Sequence, residues 1–343
     1  MASCSSKHCT PIRVAGLLLS LLLLLTASAA AEPVVFKVAS VAPKDSPWMD
    51  SLRAMNAEIE AATGKQVSFQ FFPGMVSGDE KDMVRKMRAS QLQGAVVTSV
   101  GLQMIDSNTL VVQLPLLFQN YEEMDAVRDK MHPKLQDLVS KKGFVILGYA
   151  DLGYTYIFTQ KPVASLADFQ NVKMWGWEDE PISKRFFEMA GISQISLALT
   201  DVLPGLQRGM INGVYNSPLG LISVQWDKYV SHITGLAVVI GAGGTVVTKA
   251  QWDKVSPEHQ AKIMEISARH HAKLRGVIRQ KNKDAITQLK AQGMKVVPVP
   301  PAELERFKGI AAKVREDISA KMFQPGLLQE AEGYLRDHRA GKK

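Results

Sequence analysis

A long uninterrupted helical pattern near the C-terminus constrains the fold of this chain more than any other feature. Ser256 is a suitable N-cap and Pro257 suits the first helical position, and Gly276 is the only Gly or Pro before Gly293 ends the pattern. A helix over residues 257–292 would be roughly 54 Å long at 1.5 Å per residue. We expect it to lie across more than one lobe of the protein, the alternative being extension into a partner. Its packed face is predicted to contain Ile263, Ile266, His270, Leu274, Val277, Ile286 and Leu289.

The first third of the chain alternates strand and helix patterns. Residues 34–40, 66–72 and 94–100 are strand-like, and helical spacing covers residues 47–63 and 79–91. This order predicts a mostly parallel sheet with helices on both faces, in which ligands bind beyond the carboxyl ends of the strands. Further strands are predicted at 144–150, 171–177, 211–216, 236–241, 245–248 and 294–299. Further helices are predicted near 122–140, 180–190, 200–209 and 219–228.

The N-terminus indicates export. Lys7 and Arg13 precede the apolar run 14–25, and a stretch of small residues follows and ends at Ala31. That order predicts a cleavable secretory signal peptide over residues 1–31, and hence a periplasmic protein. A membrane anchor is the disfavoured alternative, because the apolar stretch is barely long enough to span a bilayer of about 30 Å.

Composition excludes several classes of protein. Cys4 and Cys9 both lie in the predicted signal peptide, so the exported chain has no disulfide, thiol nucleophile or thiolate metal site. Removal of the signal peptide would leave 39 basic against 33 acidic residues. The basic clusters at 273–283 and 337–343 are more typical of solvated helix faces than of a polyanion site, which predicts no nucleic-acid partner. No other apolar stretch is long enough to cross a membrane.

The sequence contains no motif that predicts catalysis. It lacks the HExxH, GxSxG, P-loop and Cys-based metal patterns. His270 and His271 are adjacent, so on a helix they point about 100° apart and cannot chelate one metal ion together. The acidic run 178–180 is more typical of an exposed helix start than of a metal site. We therefore predict no enzyme activity, metal or cofactor, and we interpret the glycine-rich residues 241–244 as a crossing point between lobes.

Six segments of the chain occur in a characteristic order and spacing: VASVAPKDSPW, FFPGMVSGDEKDMVRKMRASQLQGAVVTSVGL, VVQLPLLFQNYEE, GYADLGYTYIFTQKPVASLADFQNVKMW, LTDVLPGLQRGMINGVYNSPL and WDKVSPEHQ. Together they resemble the extracytoplasmic receptors of TRAP-type (tripartite ATP-independent periplasmic) transporters over essentially the whole mature chain. The resemblance implies an α/β, two-lobed periplasmic-binding-protein fold with a hinge, lobe-crossing strands and a long lobe-spanning helix. It also implies a monomer that encloses a small solute between its lobes and delivers it to membrane permease subunits.

The same resemblance sets the expected domain limits. Each lobe is completed by a segment distant in sequence, so the limits are not simple cuts. We expect a signal peptide at 1–31, lobe I at 32–153 with part of 243–292, lobe II at 154–242 with part of 293–325, the long helix at 257–292 and a C-terminal helix and tail at 326–343.

The sequence departs from the family pattern where a bound acid would be held. Typical members carry an Arg in a motif like KIRV, whereas KMWGW here places Trp175 at that position. A second Arg often follows the GY of the lobe-crossing strand, whereas Thr155 follows Tyr154 here. An ionised carboxylate buried without its partner costs several kcal/mol, and Lys173, Lys184 and Arg185 are not obvious replacements. A simple dicarboxylate is therefore disfavoured as the ligand.

Aromatic residues are predicted to line the cleft instead. Trp175 and Trp177 project to the same side of one strand, and Asn216 occupies the family's ligand-proximal Asn position. For Trp48 and Tyr156 a core position is an equally good interpretation. The predicted ligand-binding residues are Trp48, Tyr154, Thr155, Tyr156, Trp175, Trp177, Tyr215 and Asn216.

These residues predict an apolar, amphipathic or aromatic solute. A quaternary amine is an alternative, since Trp faces attract such cations and Glu178 and Asp179 follow closely. An organic-acid receptor, and a periplasmic lipid or solute shuttle or sensor that works without a TRAP permease, also remain as alternatives.

Overall fold

A computed structural model describes residues 32–342. From Val34 onward the chain forms one compact unit. The predicted signal peptide, with both cysteines, lies outside the described residues. Within residues 32–342, no helix combines the length and the apolar character that crossing a membrane requires.

Strands and helices alternate along the first half of the chain, which confirms the predicted α/β class. The strands are β1 (Val34–Ser40), β2 (Val67–Phe72), β3 (Gly94–Thr98), β4 (Phe144–Thr159), β5 (Met174–Trp177), β6 (Gln194–Leu197), β7 (Gly213–Asn216), β8 (His232–Thr234), β9 (Val239–Thr248) and β10 (Lys295–Val297). The α-helices are α1 (Pro47–Ala62), α2 (Glu80–Arg88), α3 (Ser99–Ile105), α4 (Tyr121–Lys141), α5 (Pro181–Ala190), α6 (Val202–Gln207), α7 (Pro218–Ser223), α8 (Lys249–Trp252), α9 (Pro257–Ala291), α10 (Pro301–Met322) and α11 (Leu327–Arg339).

The strands pair in the order β2-β1-β3-β9-β4-β7-β5-β6, with β8 on β4 and β10 on β8. At one end β1 runs parallel to β2 and β3, and at the other β5 runs parallel to β6 and β7. The central pairs β3–β9, β9–β4 and β4–β7 are antiparallel. The parallel sheet predicted from the N-terminal alternation is therefore present at both ends, and the two long strands between them run antiparallel.

The crossing strands are longer than their sequence patterns suggest. Residues 144–150 were predicted as a strand, but β4 continues to Thr159. The two short strands predicted at 236–241 and 245–248 are one strand, β9, because the glycine-rich residues between them pair with β4 throughout. A Cβ on Gly243 would lie 2.1 Å from the carbonyl oxygen of Val97, so only glycine permits this close approach of β9 to β3.

The long helix α9 begins after the predicted N-cap, where the Ser256 side chain accepts a hydrogen bond from the backbone N–H of His259. Its buried face comprises Ile263, Ile266, Ser267, His271, Leu274, Ile278, Asn282, Ala285 and Leu289. Of the other residues predicted for this face, His270 and Ile286 are partly buried, and Val277 is exposed, so the prediction was wrong for Val277. Burial lowers the pKa of His271 to about 4, and its ring contacts Thr245 and Ser267 as a neutral group.

Candidate functional site

A cavity of about 230 Å³ lies where the crossing strands meet the two ends of the sheet. Its lining comes from β3, β4 and β9 in the middle, from β5, β7 and helices α5 and α7 on one side, and from Trp48 at the start of α1 on the other. Most of the lining is aliphatic or aromatic. Pockets of this kind, with a few polar groups among apolar side chains, are typical of small-molecule sites.

Four of the chain's five tryptophans contribute to the cavity wall, the exception being Trp252. Trp175 is 2% exposed and is held by three neighbouring rings. It stacks on Tyr215 at 4.8 Å between ring centroids, meets Trp226 edge-on at 5.2 Å and lies 5.8 Å from Trp177. Its indole N–H donates to the carbonyl of Leu197 at 3.1 Å, so the ring orientation is fixed by the protein itself.

Strand β4 turns only some of its predicted ligand residues toward the cavity. Thr155 and Ile157 line it, whereas Tyr154 and Tyr156 lie outside it, because successive side chains of a strand point to opposite faces. Tyr154 instead packs on Tyr121, with 4.6 Å between the ring centroids, and Tyr156 packs into the core beside β7. The sequence prediction placed three consecutive strand residues in one site, which the pleat does not allow.

Trp48, Thr155, Trp175, Trp177, Tyr215 and Asn216 are thus the predicted residues that the structure brings together around the cavity. Trp48 also belongs to the core that packs beneath β1, and its indole N–H donates to the carbonyl of Asp151 at 3.0 Å. The two interpretations of Trp48, core and cleft, therefore both apply.

Most polar groups at the cavity wall already have partners. The Tyr215 hydroxyl accepts a hydrogen bond from the backbone N–H of Trp177 and lies 3.1 Å from the Ser183 hydroxyl. Among the wall's donors that have no hydrogen-bond partner within residues 32–342 are the Thr155 hydroxyl and the side-chain NH2 groups of Gln113 and Asn216. These donors suit acceptor oxygens on a ligand.

The charge of the cavity wall differs from that of a site for acids. Within the described part of the chain, no Lys or Arg lines the cavity, and Glu180 is its single charged residue. Lys173 and Lys184 are exposed, and Arg185 pairs with Asp317 at 2.9 Å, away from the cavity. None of the three therefore lines the cavity.

Glu180 has a structural role at the start of α5. Its carboxylate accepts the backbone N–H groups of Ile182 and Ser183 at 2.9 and 2.7 Å, as an N-cap does. Burial raises the pKa of Glu180, and these hydrogen bonds oppose the shift. The predicted helix start in the acidic run is confirmed, but its exposure is wrong for Glu180, which is 9% exposed.

Hydrogen bonds hold the two sides of the cleft together at its rim. Oδ2 of Asp79, the N-cap residue of α2, accepts the Trp177 indole N–H at 3.2 Å and the backbone N–H of Leu199 at 3.0 Å. The Gln103 side chain donates to the carbonyl of Asp179 at 2.8 Å. These contacts belong to a closed arrangement of the cleft.

Sequence reasoning missed several lining residues. Ile182, Phe186 and Phe187 come from the helix that directly follows β5, and Trp226 follows α7. The double Phe in a helix beginning next to Trp177 was an available signal, since its first turns must lie beside the end of that strand. No local pattern marks Gln113, which reaches the site through a 3-10 turn and accepts a hydrogen bond from Ala242 N–H.

The chain was compared with known proteins. Residues 38–322 match the family model described as bacterial extracellular solute-binding protein, family 7. A solute-binding protein of Verminephrobacter eiseniae is 26% identical over 278 residues, which cover 80% of this chain and 81% of that protein. The C4-dicarboxylate-binding periplasmic protein DctP of Rhodobacter capsulatus is 23% identical over 282 residues, which cover 80% of this chain and 83% of that protein.

Solved structures share the fold. A TRAP periplasmic solute-binding protein of Pseudomonas putida F1 with bound D-glucuronate gives a TM-score of 0.80 at 23% identity, covering 87% of this chain and 96% of that one. DctP7, a Bordetella pertussis extracytoplasmic solute receptor binding pyroglutamic acid, gives a TM-score of 0.81 at 19% identity, covering 88% of this chain and 99% of that one. The resemblance stated from the sequence is thereby confirmed, and the fold and family are those of solute receptors rather than enzymes. The chain belongs to the bacterial extracellular solute-binding proteins of family 7, the receptors of TRAP-type transporters.

Proposed function

We propose that this receptor captures an uncharged, apolar or amphipathic solute, with a ring among its preferred groups, and presents it to a TRAP permease in the periplasm. The observation that carries the proposal is the absence of Lys and Arg from the described cavity lining, combined with four tryptophans in the same wall. The proposed ligand-binding residues are Trp48, Thr155, Trp175, Trp177, Tyr215 and Asn216. In this proposal residues 1–31 direct export and are then removed.

An organic acid fits this wall poorly. Burying a carboxylate costs several kcal/mol unless a charged partner compensates, and a bidentate Arg is the usual compensation. Glu180 would add repulsion to any bound anion in the fraction of molecules where it is ionised. The similar structures named above include receptors with bound D-glucuronate and pyroglutamic acid. Trp175 stands where the family pattern described from the sequence carries an Arg.

The size of the cavity limits the ligand. An engineered apolar cavity of about 150 Å³ binds benzene, so about 230 Å³ accommodates a ring with a short substituent. Burying about 300 Å² of apolar ligand surface at about 25 cal/mol/Å² contributes about 7 to 8 kcal/mol before the costs of association. Micromolar affinity needs about 8 kcal/mol net. Polar contacts from Thr155, Gln113 and Asn216 would therefore have to supplement the apolar term.

A quaternary amine is the second candidate, favoured by the four indoles and the single acidic residue of the wall. An indole face attracts such a cation by about 0.5 to 2 kcal/mol. Both oxygens of Glu180 are already engaged by the N-terminus of α5, which leaves the neutral ligand as the first candidate.

The decisive experiment identifies the natural ligand. The protein is secreted into the periplasm of a Gram-negative host, purified without denaturation and analysed by native mass spectrometry for a co-purified solute. We expect a neutral molecule whose affinity holds or tightens as NaCl is raised. A cation would bind more weakly in salt, and recovery of a stoichiometric carboxylic acid would refute the proposal.

A matched pair of substitutions links the ligand to the cavity. Trp175→Phe retains an aromatic ring next to Tyr215 but removes indole area from the wall, and Trp252→Phe makes the same change in a core tryptophan that does not line it. For Trp175→Phe we expect the affinity to fall at least threefold, because the lost indole contact removes on the order of 1 kcal/mol of binding free energy. For Trp252→Phe we expect an unchanged affinity. Equal effects of the two would place the ligand elsewhere.

A further inference from the structure

A second and larger depression lies outside the cavity, with a volume of about 730 Å³. Its walls are the 114–119 segment, the 235–240 segment and helices α10 and α11. The side chains of Leu116, Leu236 and Leu304 are partly exposed within it and form an apolar floor. We call this depression the α10–α11 groove.

The rim of the α10–α11 groove is basic. Lys308, Arg315, Arg336 and Arg339 line it, and Glu332 is the one acidic lining residue in the described part of the chain. Two of these cations are already committed, since Arg339 pairs with Glu123 at 2.8 Å and Lys308 pairs with Glu305 at 2.7 Å.

Arg315 and Arg336 form no ion pair with any residue of 32–342. Arg315 is half-buried, donates one hydrogen bond to the carbonyl of Pro115 at 2.8 Å and has its pKa lowered by burial. Glu332 and Glu316 act on Arg315 without forming an ion pair with it. A half-buried guanidinium that no carboxylate contacts is costly, and it retains donors in the planar arrangement that suits an oxyanion.

An apolar floor beside two available guanidinium groups matches the two halves of an amphipathic anion. We propose that the α10–α11 groove is a second ligand site, which binds a free single-chain carboxylate such as a fatty acid. The carboxylate lies between Arg315 and Arg336, and the hydrocarbon chain lies along the apolar floor. The groove's volume is within the usual range of about 300 to 1,000 Å³ for small-molecule sites.

The groove and the cavity share part of one wall. Val238 and Val239 contribute to both, and Leu116 donates its backbone N–H to the carbonyl of Val238 at 3.0 Å. Leu116 has a left-handed φ of 49°, which is uncommon for a branched apolar residue. The groove therefore lies directly behind the closed cleft.

Isothermal titration calorimetry with dodecanoate and dodecanol on the mature chain, starting at Glu32, tests the proposal. We expect saturable binding of dodecanoate that weakens as NaCl is raised. Arg315→Gln and Arg336→Gln should each weaken it roughly tenfold, since each removes one charge-assisted contact. Lys313→Gln is the matched control, because it removes an exposed charge from the same helix outside the groove and should leave the affinity unchanged.

Dodecanol separates the apolar contribution from the charge. Dodecanol should bind the unsubstituted protein more weakly than dodecanoate does. The affinity for dodecanol should be the same in the unsubstituted protein and in the Arg336→Gln variant. Arg336 is exposed and unpaired among the described residues, so its substitution keeps the test valid even if Arg315→Gln fails to fold. Dodecanoate binding that neither substitution weakens, or no saturable binding at all, would overturn the proposal. Neither outcome depends on which solute occupies the cavity.

Discussion

Asp79 is predicted to control how tightly the cleft closes. Its Oδ2 atom accepts two hydrogen bonds from the opposite side of the cleft, from the Trp177 indole and the Leu199 backbone, while Oδ1 accepts the backbone N–H of Glu80 as the cap of α2. Asp79→Ser keeps a good N-cap residue but is too short to reach across the cleft. The substitution therefore separates the capping contribution from the contacts that hold the cleft closed.

The magnitude follows from these contacts. A hydrogen bond to a charged acceptor contributes about 1.5 to 3 kcal/mol, and Asp79 is partly exposed, so we take about 1 kcal/mol for each of the two. In an open cleft both donors would be hydrated, so the loss falls on the closed state alone. A change of about 2 kcal/mol in the closing equilibrium weakens ligand affinity about 30-fold.

The assay combines calorimetric titration of the co-purified solute with small-angle X-ray scattering of the ligand-free protein. We expect weaker binding and a larger radius of gyration for Asp79→Ser, with little change in melting temperature. Asp82→Ala is the control, because Asp82 lies on the same helix and its one ion pair among the described residues is with the exposed Arg85. Affinity and radius of gyration equal to those of the unsubstituted protein would refute this account of closure.

Four further substitutions test the fold. Burial raises the pKa of Glu80 to about 7 from 4.5, so the folded state holds this proton more tightly and stability should fall as pH rises through that interval. Glu80→Gln should remove this dependence of stability on pH. In the unsubstituted protein it amounts to a change on the order of 3 kcal/mol in the free energy of unfolding by urea between about pH 4.5 and about pH 7.5. The same pH dependence in the variant would contradict the raised pKa of Glu80. Gly243→Ala should destabilise by about 2 kcal/mol or more because its Cβ meets the Val97 carbonyl, whereas Gly276→Ala, with open space inside α9, should stabilise by about 1 kcal/mol in the same assay. Asn282→Ala removes the side chain that joins α9 to β4 and α7, and it should cost about 2 kcal/mol by urea unfolding; no loss would show that these contacts are dispensable.

Local sequence patterns predicted where the long helix α9 begins better than they predicted the central strand β9. Ser256 and Pro257 marked the start of α9, because capping requirements are met by neighbouring residues in sequence. The crossing strand β9 was divided in two, because glycines weaken a strand pattern, and its continuity comes from pairing with β4. Pairing partners distant in sequence leave no trace in a local window.

The candidate site shows the same limit within a single strand. A register irregularity in β4 between Asp151 and Gly153 changes which side chains face the cavity, from Ala150 before it to Thr155 after it. Simple alternation cannot locate such a bulge, and Gly153, with φ of 113°, was its only sequence signal.

Trp175 shows why the class of ligand is a property of the whole wall. Its ring occupies the position of the usual clamp and is enclosed by Tyr215 and Trp226, so an Arg placed there would be buried among aromatic faces. Glu180, the one charged residue of the described wall, already holds the start of α5 and is not arranged to orient a guanidinium toward a ligand. An Arg introduced at this position would therefore need a new partner to orient it toward a ligand. The proposed preference of the cavity for uncharged ligands would therefore rest on several residues that pack on one another, since each of them makes the replacement of the next more costly.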